Sequence, residues 1–413
     1  MIISNNKNAK TLSWLITSNI IKSLSQWILL VILIKFFTTE DVGYFTLGMA
    51  ITAPIFMLSE MQMKSVLVVE PENGIDYYKT YLAIRFVSTA LALIGLILYC
   101  IFFREVNWIL LAVVIYKSVE SLIDIQYGYY QKKDDMIWMS KIDICKTTFT
   151  ISACFIVTVI FHDIGSSLIS IIIVSALFYL ANSMYIKHRL TSELTPISFR
   201  TAVGIIKKSL PLGISVLFVS YITNYPRIAI EGYCGPEMLA YFGAYSYLAI
   251  GVFQISAPIQ TYLRQRLSSY FQNCDLKNFS KSIHLAIIAF ISIGIGLIFL
   301  FFMMGDIIIK KIYNESYLPY KNVIFVLFTS QLLMAISGIY STAVLSFNIY
   351  TKQAFISGGI FLVVLLISDS LIKNNGIFGG AYVSVIAAFI SLSCYMFIYI
   401  KRIRKWEKTL INL

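Results

Sequence analysis

Charge is scarce in this chain, and so are the residues that build metal sites or disulfide frames. Asp, Glu, Lys and Arg make up 13% of its 413 residues, where soluble domains carry about 25%. A soluble chain of this length would divide into two or three domains, each needing a polar surface. The charge is too sparse for that, so lipid must solvate much of the exterior. Histidine occurs three times with no ligand-like spacing. The six cysteines (Cys100, Cys145, Cys154, Cys234, Cys274 and Cys394) never form a C-x-x-C pair. They read as small apolar fillers within helices, and neither a metal nor a disulfide framework is expected. Long polar segments are missing too. No stretch between apolar runs exceeds roughly 25 residues, too little for the extramembrane sugar-binding part of a polymerase or glycosyltransferase. The chain is therefore not expected to be an enzyme.

What is present is apolar length. Hydrophobic residues reach 58% and the mean hydropathy is +0.78, while a spanning helix needs about 20 apolar residues. Apolar runs lie at 12–37, 42–63, 81–103, 108–130, 139–161 and 165–186, then at 211–232, 241–263, 283–303, 322–346, 354–372 and 379–400. They predict an all-α polytopic membrane protein of about twelve transmembrane helices. Residues Met1 to Thr11 are polar and the run after them is too long for a signal h-region, so it is read as a retained first helix.

Lys and Arg set the orientation, because cytoplasmic loops retain positive charge. With the N-terminus inside, 24 of them fall on inner segments and 6 on outer ones. The inner set includes Lys64, Arg85 and Lys146, and the outer set includes Arg104. Both termini are thus expected in the cytoplasm. The net charge of +12 then belongs to loops facing anionic headgroups rather than to nucleic acid.

A repeat is visible at an offset of 197. Thr39-Glu40-Asp41-Val42-Gly43-Tyr44-Phe45 follows the first run, and Pro236-Glu237-Met238-Leu239-Ala240-Tyr241-Phe242 follows the seventh. Two six-helix halves are the natural interpretation, with residues 1–190 and 211–413 joined by a cytoplasmic linker at 191–210. Transporters built from such repeats bind substrate between the halves near mid-bilayer.

Ionisable residues within apolar runs cost several kcal/mol unless they face a cavity or a partner. The first run carries Lys22, about 15 Å beyond Leu12 at 1.5 Å per residue, on one polar stripe with Asn19, Ser23 and Gln26. Either the stripe lines a hydrated cavity or Lys22 snorkels to the surface. The fourth run carries Lys117, Glu120 and Asp124 on one face, which suits a self-neutralising structural cluster as well as a functional one. The seventh run carries Asn224, Arg227 and Glu231 beside Pro226, a residue that should kink or open the helix. Arg227 could also snorkel outward. If the halves face each other, Lys22 and Arg227, with Asn19, Lys117 and Asn224, line one cationic cavity. Arg and Lys bind phosphate oxygens, so an anionic, phosphorylated substrate is inferred. Glu120, Asp124 and Glu231 are candidates for coupling to H⁺ or Na⁺, with no other cofactor. The aromatic and charged stretch from Asp306 to Lys321 reads as an interfacial anchor, and Gly376, Gly379 and Gly380 as a tight turn with close helix packing.

The Thr39 to Tyr44 segment resembles polysaccharide flippases of the MOP superfamily. Leu210-Pro211-Leu212-Gly213, Asn224-Tyr225-Pro226-Arg227, Gly235 to Phe242, Ile312 to Tyr317 and Gly376 to Ala381 resemble that group too. Length and loop economy are most similar to its O-antigen (Wzx-type) members. The resemblance implies a V-shaped pair of six-helix bundles around a cationic central cavity in the bacterial inner membrane. It implies transfer of undecaprenyl-pyrophosphate-linked oligosaccharide from the cytoplasmic to the periplasmic leaflet. Membrane lipids are expected partners, with a polysaccharide polymerase and a chain-length regulator as candidates. The alternative is a MATE-like antiporter of small molecules. Cationic drugs would favour acidic cavity residues, and Lys22 and Arg227 argue the other way.

Overall fold

A computed structural model describes residues 2–69, 78–103, 107–189, 198–254, 256–347 and 351–411. Arg104 and the first part of the linker expected at 191–210 lie outside these. Among the described residues the secondary structure is helical, without strands. The helices are α1 (Ile2–Phe36), α2 (Thr39–Glu60), α3 (Met63–Val69), α4 (Tyr78–Phe103), α5 (Trp108–Lys132), α6 (Met136–Phe161) and α7 (Ile164–Arg189). Then follow α8 (Phe199–Cys234), α9 (Pro236–Phe253), α10 (Ser256–Gln272), α11 (Leu276–Ile312), a 3-10 turn (Glu315–Tyr320), α12 (Val323–Ser346), α13 (Thr351–Asn375) and α14 (Ile377–Ile411). Ten helices among the described residues are long and apolar enough to cross a membrane. Helix α5 is also long enough but carries Lys117, Glu120 and Asp124, and α9 is 18 residues long. The chain is an all-α polytopic membrane protein.

Local chemistry explains the helix ends. Thr38 caps α2 by accepting from the Asp41 amide at 3.2 Å, and Asn107 caps α5 through the Ile109 amide at 2.8 Å. Helices α6 and α7 turn in two residues. His162 takes a left-handed conformation (φ 50°), and Asp163 accepts from the Ser166 amide at 2.7 Å. That amide and the Ser166 hydroxyl hold the Asp163 carboxyl below the usual carboxylate range. Outward faces carry apolar residues at helical spacing, as in Val87, Leu91, Ile94 and Leu98 of α4 or Leu285, Ile288, Ile295, Phe299 and Phe302 of α11. Only lipid can solvate such faces.

The chain forms two compact units, Met1–Asn224 and Tyr225–Leu413, whose boundary falls inside α8. The segment expected as the end of a linker is helical from Phe199, continuous with the seventh apolar run. In the first unit α5 is the central helix, packed against α2, α3, α4 and α7, while α6 packs on α1 and α7. In the second unit α12 is central, packed against α9, α10, α11 and α14, and α13 packs on α14. Helix α5 thus meets α2, α3, α4 and α7 as α12 meets α9, α10, α11 and α14. The repeat lies at matching places, since Thr39 opens α2 and Pro236 opens α9. From Thr39 to Gly48 and from Pro236 to Tyr245, each position has the same burial as its counterpart.

The expectation for Asp306 to Lys321 needs correction. Rather than anchoring at the interface, its tyrosines fold into the second unit. Tyr313 and Tyr317 are each 1% exposed. The Tyr313 hydroxyl donates to the Ala244 carbonyl at 3.0 Å, and Tyr245 donates to the Tyr317 carbonyl. These bonds tie the 3-10 turn to α9, because a buried phenol needs a partner for its hydroxyl. The Gly376 turn has the form expected of it, with φ at 55°, where an L side chain is strained. At Gly379 a Cβ would overlap the Leu371 carbonyl.

Candidate functional site: a charged cavity in the first unit

Helix α5 presents Lys117, Glu120 and Asp124 on one face, and the elements packed around it bring further charges to that face. Lys22 comes from α1, Glu60 from α2, Lys64 from α3, Arg85 from α4, and Asp143 and Lys146 from α6. Five cations and four carboxylates gather inside one helical unit. Three of the cations and three of the carboxylates, Lys22, Lys117, Lys146, Glu60, Glu120 and Asp124, line a cavity of about 290 Å³ together with Gln26.

The carboxylates are committed unequally. Lys146 places its ammonium 2.7 and 2.6 Å from the two oxygens of Glu120, and the Ser175 hydroxyl adds a bond at 3.3 Å. Asp124 is held from both sides, by Lys64 at 3.3 Å on one oxygen and by Arg85 at 3.3 Å on the other. The Arg85 side chain is fully buried, and its Nε and Nη1 find no hydrogen-bond partner among the described residues. Asp143 accepts from the hydroxyls of Ser18 and Tyr127, both at 2.9 Å. Glu60 lies in the field of Asp124, Arg85 and Lys117.

Lys22 and Lys117 differ from the other cations. Asp143, Glu120, Asp124 and Glu60 all act on Lys22, yet no described carboxylate stands within ion-pair distance of it. The same holds for Lys117, whose ammonium lies 5.8 Å from the Tyr116 ring centre. Both border the cavity. The site therefore presents two uncommitted ammonium groups beside Glu120 and Asp124, which are paired with other cations, and Glu60, which makes no ion pair among the described residues. Such a surface suits an anion, since point-charge lysines bind phosphate oxygens.

The sequence-predicted residues thus separate. Lys22, Lys117, Glu120 and Asp124 come together. Asn19 does not join them. It is exposed, its amide donates back to the Leu15 carbonyl at 3.0 Å, and its carbonyl accepts from Ser23. Of the predicted α1 stripe, Lys22 and Gln26 border the cavity. Arg227 belongs to the second unit and is 6% exposed. It does not snorkel outward, because its Nη2 donates to Ser246 at 3.0 Å and its guanidinium lies 4.7 Å from the Tyr247 ring centre. Asn224 donates to the Ser220 carbonyl at 2.9 Å, one turn back in α8. Helix α8 is helical through Pro226 to Cys234, with Glu231 half-buried in its last turn.

Five residues of the cluster were missed. Lys64, Arg85 and Lys146 stood in the inner-loop tally, but Arg85 and Lys146 are buried and Lys64 reaches Asp124. Removing them leaves the sign of the loop bias unchanged. Asp143 and Lys146 sit three apart within a predicted run, so the spacing test applied to α5 would have found them. Glu60 and Arg85 lie close to the ends of their runs, where charge carries no such signal.

The fold resembles that of solved transporters of the MOP superfamily. The lipid II flippase MurJ, in its inward closed conformation, superposes with a TM-score of 0.73 at 14% identity, over 96% of this chain and 90% of that one. An inward-facing multidrug resistance transporter of the MATE family superposes with a TM-score of 0.67 at 13% identity, over 95% and 96%. In sequence, the chain is 24% identical over 408 residues to the capsular polysaccharide biosynthesis protein CapF of Staphylococcus aureus, covering 95% of this chain and 99% of that one. No family model matches.

Proposed function

We propose that the protein is a flippase for a surface-polysaccharide precursor, an oligosaccharide repeat unit linked to undecaprenyl pyrophosphate. It moves this lipid from the cytoplasmic to the outer leaflet of the inner membrane by alternating access. The observation that carries the proposal is the pair of uncommitted lysines, Lys22 and Lys117, in a cavity where Glu120 and Asp124 are engaged by other cations. A pyrophosphate is the group on such a substrate that two ammoniums would recognise. End-to-end similarity to a capsular polysaccharide biosynthesis protein supports a glycan cargo.

The two six-helix halves, 1–190 and 211–413, are the moving parts of this cycle. Arg227, Asn224 and Asn19 are further candidate substrate contacts, and Pro226 is the candidate hinge. The Lys/Arg bias supports cytoplasmic termini. Asp124 and Glu231, and Glu120 only if Lys146 releases it, are the groups through which an H⁺ or Na⁺ gradient would act.

The test is deletion of the gene in a strain without another flippase. Lipid-linked repeat units should accumulate on the cytoplasmic leaflet and surface polysaccharide should vanish. Unchanged surface glycan would sink the proposal. A second reading, a MATE-like antiporter, draws on the three carboxylates lining the cavity and on the MATE-like fold. It predicts raised drug sensitivity in the deletion strain with surface glycan intact.

A further inference from the structure

Lys146 has a place that stability alone does not explain. A buried ion pair contributes little net stability compared with apolar side chains of the same volume, because desolvation offsets the attraction. Yet the ammonium bonds both oxygens of Glu120 from a position 5% exposed, at the wall of the cavity. The carboxylate it occupies is one helical turn from Lys117 on α5, the i, i+3 spacing at which acid and lysine pair along a helix. Lys22 is the other cation acting on that carboxylate. Without Lys146, Glu120 has two cations within reach, and they are the two the cavity leaves uncommitted.

We propose that Lys146 is a positioning residue that sets the polarity of the cavity: by holding Glu120, it keeps Lys22 and Lys117 free for an anionic headgroup. This rests on the flippase reading above. Lys146 need not touch the substrate. It acts through Glu120, and Glu120 matters for the harm it does when released. Asp124 is managed in the same way by Lys64 and Arg85, and Asp143 by two hydroxyls. Glu120 is the acid that shares α5's cavity face with Lys117 and whose only described ion-pair partner is Lys146.

The proposal predicts an order of phenotypes unlike that of a coupling acid or a structural pair. Purified protein in nanodiscs would be titrated with undecaprenyl pyrophosphate, with undecaprenol as the uncharged control. Glu120→Gln should bind undecaprenyl pyrophosphate at least as tightly as wild type. Lys146→Gln should bind about tenfold more weakly or worse, because an unpaired carboxylate several ångströms from the ligand's charge costs at least that factor in a partly hydrated cavity. Lys146→Gln/Glu120→Gln should return to within about threefold of wild type, and Lys146→Arg should bind like wild type. Equally weak binding by the double and the single lysine variant, at equal thermal stability, overturns the proposal. So does loss of binding in Glu120→Gln. If Lys146→Gln does not accumulate, Glu120→Gln and the double variant against wild type still decide, since weak binding by either refutes it. Wild-type protein that does not prefer undecaprenyl pyrophosphate over undecaprenol fails a different claim, the anionic substrate itself.

Discussion

The Arg85–Asp124 pair should respond to mutation asymmetrically, because its two members are buried to different depths. Asp124→Leu leaves the Arg85 guanidinium in a site with 0% side-chain exposure, where Nε and Nη1 are already without partners. Removing one partner of a buried pair costs roughly 3–5 kcal/mol. Glu60 remains nearby without an ion pair to Arg85, so the lower end, about 3 kcal/mol, is expected. Arg85→Met leaves a carboxylate that is 30% exposed and still bonded to Lys64 at 3.3 Å. It also deletes two unmet donors and fills most of the vacated volume, so its cost should be about 1 kcal/mol or less. The double variant should resemble Arg85→Met. In a folding unit of about 200 residues, 1 kcal/mol shifts the midpoint by about 2–4 °C. Thermal unfolding in detergent should therefore show Asp124→Leu lower by about 6–12 °C and Arg85→Met by no more than about 4 °C. Equal shifts, or a larger one for Arg85→Met, would refute the assignment of Arg85 as the deeply buried partner.

Lys22→Ala and Lys117→Ala should each reduce export about tenfold or more, with arginine at either position preserving part of it; wild-type export at normal expression in both would remove the cationic-cavity argument. Arg227→Ala should impair export more than Arg227→Lys in the same assay. Gly379→Ala forces a Cβ into the Leu371 carbonyl, and a midpoint lowered by less than about 2 °C would show that α13 and α14 can separate there at little cost. Asp163→Ala removes the α7 cap and should cost about 1 kcal/mol at neutral pH. Because the folded carboxyl titrates below its unfolded value, the cap's contribution is present above about pH 4 and is lost as pH falls through the folded value. Wild type and variant should therefore converge in stability as the pH is lowered past the folded carboxyl's value, and a difference that persists once it is protonated would assign the effect to something other than the cap.

Much of the fold was legible in one dimension. A bilayer demands long apolar helices, so their number and spacing are written in the hydropathy. The repeat was legible too. Val42 and Leu239, Gly43 and Ala240, and Phe45 and Phe242 face inward at matching points of α2 and α9. What the repeat did not convey is how differently the two central helices are used. Helix α5 carries Lys117, Glu120 and Asp124, while α12 holds no Asp, Glu, Lys, Arg or His and buries Ser330, Ser337, Thr342 and Ser346 instead. The same topological place serves a charged cluster in one unit and hydroxyl packing in the other.

The α5 charges stood out in the sequence because they interrupt an apolar run, and their common face followed from helical geometry. Their partners did not. Arg85 and Lys146 look like loop cations when counted along the chain, and Tyr313 and Tyr317 look like interfacial anchors. Folding turns the two cations onto Asp124 and Glu120 and the two tyrosines onto α9. Charge scarcity by itself therefore determined that the chain lives in lipid and that each remaining interior charge needs a partner. Which charge meets which, and so which two lysines are left to meet a ligand, was decided only by the tertiary structure. The reason is one of range. Hydropathy is a property of neighbours along the chain, whereas ion pairing acts over a few ångströms between residues on different helices, 26 and 39 positions apart in sequence.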